Sequence, residues 1–139
     1  MFDDLERAYL AGQRLARLAT VSPAGQPDAD AVGFEFDGER FFIGGRRLTA
    51  SRKYKNIAAG RRLVSLIVDD YASIDPWRPR GVKVHGTAEI VQRDGRFGPG
   101  DYIAIAPDVS WSWGLDADVY ADGRLTWKPR KQVWAKREA

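Results

Sequence analysis

Between Gly81 and Val91 the chain alternates without a break. Val82, Val84, Gly86, Ala88 and Ile90 share one side, and Lys83, His85, Thr87 and Glu89 share the other. A period of two is the signature of a half-buried strand. The same pattern predicts a first strand over residues 14–22, a turn at Pro23-Ala24-Gly25-Gln26 and a second strand through residues 30–36. Asp37-Gly38 marks a hairpin that leads into a third strand at residues 40–44. Residues 62–69, RLVSLIVD, are almost continuously apolar and predict a central strand covered on both faces. After a Gly-rich turn at residues 95–100, a last strand spans 102–113, broken or bulged at Pro107.

Two segments change period from two to 3.6. Asp3 or Asp4 caps a first helix in which Leu5, Ala8, Tyr9 and Gly12 recur at helical spacing. A second helix starts near Thr49, buries Ala50, Tyr54, Ile57 and Ala58 on one face, and stops at Gly60. The Pro-rich stretch Asp75-Pro76-Trp77-Arg78-Pro79-Arg80 is expected to interrupt regular structure as a loop. The fold class is therefore mainly β with short helices: six antiparallel strands, with a helix between the third and fourth. Closing such a sheet into a small barrel removes its exposed edges. A barrel this small leaves little room inside, so a large ligand is expected on its outer surface, with a second subunit as a cover.

Charge adds a candidate site. Arg46, Arg47, Arg52, Lys53, Lys55, Arg61 and Arg62 supply seven of the chain's 22 basic residues, and no Asp or Glu stands between Glu39 and Asp69. A helix start there brings unpaired amides, the Thr49 and Ser51 hydroxyls, Arg52 and Lys53 together, which suits a phosphate. The competing reading is a solvated basic helix face, and Asn56 either orients a phosphate-binding side chain or is an ordinary helix-surface residue. Nucleic acid is not the expected partner, because cations gathered at one helix start suit a compact phosphate better than an extended backbone. Trp77, Arg78 and Arg80 can stack on a planar ring or bind carboxylates, or Trp77 can close the core. Trp111 and Trp113 share a side of the last strand and read equally as core or as contacts to a partner or ring edge.

Other chemistries are bounded by what the 139 residues lack. There is no cysteine, and His85 is the sole histidine, so thiolate chemistry and a histidine-pair metal site are excluded. No metal is expected. The apolar runs fall short of the roughly 20 residues a membrane span requires, and the acidic start is unlike a signal peptide. The expectation is a cytoplasmic protein with no membrane partner.

The order of these elements carries a family resemblance. LARLATVSPAGQPDADAVGFEFDGERFFIGG, TASRKYKNIAAGRRLVSLIVDD and RGVKVHGTAEIV together resemble the pyridoxamine 5′-phosphate oxidase-like, FMN-binding split barrels over roughly residues 5–115. VGFEFDGERFFIGG, TASRKYKN, DPWRPRGVKVHG and SWSWGL are similar, more narrowly, to the F420-dependent oxidoreductase branch of that superfamily. The resemblance implies a homodimer of split barrels with a flavin or deazaflavin in a groove between subunits. It puts the cofactor phosphate on Arg52 and Lys53, with help from Thr49 and Ser51, and the ring beside the second-strand backbone at Ala31, Val32, Gly33 and Phe34. Trp77, Arg78 and Arg80 then face substrate or the partner subunit.

The expected activity is hydride transfer between reduced F420 and a conjugated or electron-poor small molecule. FMN is the alternative cofactor, and a non-enzymatic flavin- or haem-binding protein is the alternative class. No catalytic acid or base is singled out. Residues 1–115 form the cofactor-binding domain in this reading. Residues 116–139, with Trp127 and Trp134, are an extension without an assigned role, and the chain lacks the substrate-binding residues that the longer oxidase proper carries toward its C-terminus.

Overall fold

The computed structural model describes residues 1–116 and 128–135. Helix α1 (Asp4–Ala11) precedes strands β1 (Leu15–Val21), β2 (Pro27–Gly33), β3 (Glu35–Phe36) and β4 (Phe41–Ile43). A single 3-10 turn (Leu48–Ala50) leads into helix α2 (Arg52–Ala58), and then come β5 (Leu63–Ser73), β6 (Arg78–Gly95), β7 (Gly98–Trp113) and β8 (Arg130–Val133). Trp127 lies outside the described residues.

Every strand pair is antiparallel, in the order β2-β1-β5-β6-β7-β4-β3, with β8 also on β7. The two ends of that path are consecutive in the chain. Only Phe34, 4% exposed, separates β2 from β3, so the sheet must curl until its first and last strands meet. Counted as one bent strand, β2 and β3 complete the expected six-stranded barrel, and β8 is an addition from the C-terminal extension. Leu18, Phe41, Leu66, Val84, Ile103 and Ile105 fill the interior. The bulge expected at Pro107 falls beside it: His85 pairs with Val109 and Gly86 with Pro107, so Asp108 is the extra residue.

Three expectations are corrected. The Pro-rich segment does not interrupt the sheet. β5 and β6 run on through it as one hairpin, with Arg78 and Arg80 on β6 and Trp77 in the turn. Pro79 is tolerated because it sits opposite Tyr71, where the register shifts and the ladder is already irregular. In α1, Leu5 is exposed and Glu6 is buried instead. A capping box explains this: Asp3 Oδ1 accepts the Glu6 amide, Glu6 Oε1 accepts the Asp3 amide, and Arg130 of β8 reaches the same carboxylate. The second helix begins only at Arg52: Ala50 falls in the 3-10 turn and is exposed, Ala58 is exposed on α2, and the face of α2 that packs is carried by Asn56 and Ile57.

Trp134, just past β8, packs its indole against Phe2 with centroids 4.8 Å apart and donates to Ser110 Oγ at 3.0 Å. Trp134 thereby fastens the β8 segment to the barrel. No described helix is long and apolar enough to cross a membrane.

Candidate functional site

Ser51, not Thr49, caps α2. Its Oγ accepts the Tyr54 amide at 3.3 Å and donates to the Leu48 carbonyl at 2.5 Å, so the hydroxyl is committed to holding the turn and helix together. As at any helix start, the Arg52 and Lys53 amides have no intrahelical acceptor. Arg46, Arg47, Thr49 and Arg52 are exposed around them. Two shallow cavities flank the 3-10 turn. One, of about 440 Å³, is lined by Gly44, Gly45, Arg47, Ser51 and Lys53. The other, of about 240 Å³, lies between Arg46, Thr49 and the Gly98-Pro99-Gly100 corner of the β6–β7 hairpin. Gly44 lets the Tyr102 ring pack beneath this loop: a Cβ there would sit 2.4 Å from the ring.

The acid-free window in sequence is not acid-free in space. Lys53 Nζ pairs with Asp30 Oδ2 of β2 at 3.1 Å, and the Tyr54 hydroxyl donates to Asp101 at 2.6 Å. The Asp101 bond raises the Tyr54 phenol above its usual range. The Lys53–Asp30 pair joins two parts of the expected site, because Asp30 immediately precedes Ala31. Among the described residues β2 pairs only with β1, which leaves its other edge without a strand partner there. Along it, Val32 and Phe34 point into the core, whereas Ala31 and Gly33 are exposed and small. A planar group can lie against this strip without meeting a large side chain. The donor set of guanidinium, ammonium, helix-start amides and one hydroxyl fits a phosphate ester.

Trp77, Arg78 and Arg80 lie elsewhere in the chain. Ala31 is level with Arg17 and Ile67, and the β5–β6 turn lies beyond Ser73, about 20 Å further along the strand. Trp77 is 55% exposed there and leans on Tyr71, with centroids 5.8 Å apart. Arg80 is already engaged: its Nε and Nη2 contact Asp70 at 2.7 and 3.0 Å, and its guanidinium lies over the Tyr9 ring. Among the described residues, no three His, Asp or Glu side chains gather to hold a metal ion.

That Asp70 cluster fastens α1 to the hairpin, because Tyr9 and Gln13 also donate to the carboxylate. The Arg80 bonds hold the Asp70 carboxyl below its ordinary range, and burial followed by the Asp70 bond pushes the Tyr9 phenol above its own. Asp70 therefore contributes stability that is complete above about pH 4 and lost as pH falls through its lower folded value. Tyr9 has the opposite sign. Its contribution is complete below about pH 10 and lost as pH rises through its higher folded value. Asp70→Asn is expected to cost on the order of 1–3 kcal/mol at pH 7. In thermal unfolding as a function of pH, its deficit against the unsubstituted protein should shrink below about pH 4.

A curled six-stranded antiparallel barrel with a helix between its third and fourth strands is a split barrel. The Pyridoxamine 5'-phosphate oxidase family profile matches residues 2–114. The chain is 38% identical over 124 residues to the 5a,11a-dehydrotetracycline/5a,11a-dehydrooxytetracycline reductase of Streptomyces rimosus, covering 85% of this chain and 87% of that one. It superposes on a solved F420 reductase with a TM-score of 0.62 and 26% identity, over 78% of this chain and 98% of the other. A conserved hypothetical protein from Mycobacterium tuberculosis shares the fold, with a TM-score of 0.65 and 23% identity over 83% and 86% of the two chains. The chain belongs to the pyridoxamine 5′-phosphate oxidase family, and it falls among that family's oxidoreductases.

Proposed function

We propose that the protein is an F420-dependent reductase that acts as a homodimer on a conjugated or electron-poor small molecule. The observation that carries this reading is the Lys53–Asp30 pair, which sets the cationic start of α2 against β2. The similarity to a dehydrotetracycline reductase and to an F420 reductase supports the choice of cofactor and of substrate class.

Arg52, Lys53 and Thr49 hold the phosphate, and Ser51 keeps the helix start in shape. The β2 backbone at Ala31, Val32, Gly33 and Phe34 lies along the ring. When bound, the deazaflavin supplies the hydride, so the chain's task is to bind, orient and exclude water. That division agrees with a site in which the carboxylates of Asp30 and Asp101 are already engaged by Lys53 and Tyr54.

The outer face of the sheet supports the dimer. A row of Ala29, Ala19, Ser65, His85, Val109 and Val133 crosses six strands in register, and no member but the histidine is ionisable. Leu63 and Leu15, on the same face, are 74% and 49% exposed. That row is bordered on the same face by Arg17, Lys83 and Lys131 of the next one, and an apolar stripe with a charged rim suits a second copy. In that arrangement the exposed Trp77, with Arg78 beside it, lies too far along its hairpin for its own chain's site and faces the partner subunit. Leu63→Glu is expected to give a monomer at micromolar concentration, read by light scattering, because it puts a charge in the covered face.

The test of activity is consumption of reduced F420 in the presence of a conjugated, electron-poor acceptor such as a dehydrotetracycline. Turnover with reduced F420 supports the assignment. Turnover with reduced FMN alone transfers it to a flavoprotein.

A further inference from the structure

Asn56 is 0% exposed, on a helix whose start is otherwise cationic. Its Nδ2 donates to Thr20 Oγ1 of β1 at 3.0 Å, and its Oδ1 has no partner. A buried amide with an unmet acceptor is less stabilising than an apolar residue of similar size, so packing alone does not account for it. Asn56 follows Lys53 by three positions and Arg52 by four, which puts all three on one face of α2.

Three polar contacts tie this helix region to the β1–β2 hairpin: Lys53 to Asp30 at 3.1 Å, Asn56 to Thr20 at 3.0 Å, and Arg61 Nη2 to the Pro23 carbonyl at 2.7 Å. The first is at the anion site and the third lies beyond the helix end. A phosphate competes with Asp30 for Lys53, so the first contact weakens when the site fills. The buried Asn56–Thr20 bond is then the polar contact that still holds the body of the helix.

We infer that Asn56, acting through Thr20, is a positioning residue: it fixes α2 on the β1–β2 hairpin so that Arg52 and Lys53 stay aimed at the phosphate once Lys53 has left Asp30. This rests on the reading of the helix start as the phosphate site. Its signature is anion affinity, which a purely structural residue leaves alone.

The experiment is titration with F420 and, separately, with inorganic pyrophosphate, at a temperature where all variants are folded. Asn56→Ala and Thr20→Val should each raise both dissociation constants about tenfold, and the double variant should be no worse than the worse single. Thr20→Ser keeps the hydroxyl and should bind within about twofold of the parent. Val84→Ala thins the same core from β6, where Val84 is 1% exposed, and should lower thermal stability without changing either constant. Asn56→Ala and Thr20→Val that lower the melting temperature yet bind both probes normally would overturn the inference, as would a Val84→Ala that binds equally badly. If Asn56→Ala fails to fold, Thr20→Val decides. A parent protein that binds neither probe would instead overturn the phosphate site itself, and the positioning role with it.

Discussion

Replacing both Arg52 and Lys53 by alanine is expected to weaken F420 binding by about two to three orders of magnitude, with little change in stability. A hydrogen bond to a charged group contributes about 1.5–3 kcal/mol, and each 1.4 kcal/mol is tenfold in affinity. The two residues should not contribute equally. Arg52 is exposed, so its cation is available without breaking an ion pair. Lys53 must first leave Asp30, and an ion pair with one half-exposed partner offsets up to about 1 kcal/mol of the gain. Arg52→Ala alone should therefore cost more affinity than Lys53→Ala. Asp30→Asn removes the competitor and should tighten binding by up to about fivefold. Calorimetric titration of the four variants checks the ranking, and Lys53→Ala weakening binding more than Arg52→Ala would show that Asp30 does not compete.

Leu18→Ala should have the largest effect on stability. Leu18 is 1% exposed and faces Leu66, its Cα partner on β5, which is equally buried. Large-to-small changes at such positions cost about 2–5 kcal/mol, a sizeable part of the 5–15 kcal/mol that holds a typical domain together. A fall of roughly 10–20 °C in Tm is expected. Ile74→Ala removes a comparable volume from the β5–β6 turn, where Ile74 is 67% exposed, and should stay within about 0.5 kcal/mol of the parent. Thermal unfolding of the pair separates the contribution of burial from that of hydrophobicity.

The strands were legible because their side-chain period is local. The β6 alternation around Val82, Val84 and Ala88 is the burial pattern observed, and Asp37-Gly38 and Gly60 end their elements where turn chemistry requires. Long-range partners set the rest. Glu6 is buried because Arg130, from a distant strand, reaches its carboxylate. Asn56 reads as a helix-surface amide because its partner, Thr20, stands 36 positions away. Pro79 reads as a strand breaker, yet it falls at a register shift where no regular ladder bond is lost. β8 has no period of its own to mark it, and its place comes from the free edge of β7.

The candidate site was legible in part for the same reason. Thr49, Ser51, Arg52 and Lys53 are neighbours in sequence, so their shared location could be read directly. The reach of Lys53 to Asp30, next to Ala31, depends on how the barrel curls. The commitment of Arg80 to Asp70 and Tyr9 likewise arises only where β5, β6 and α1 meet.

A phosphate-bearing deazaflavin bound at the start of α2 beside β2 should be seen by direct titration. Fluorescence-quench titration of the purified protein with F420 and, in parallel, with FMN tests it most directly. Saturable binding with one F420 per protomer, tighter than FMN and lost in the Arg52→Ala, Lys53→Ala double variant, is the predicted result. Tighter binding of FMN, binding of neither, or F420 binding untouched by the double variant would contradict the account.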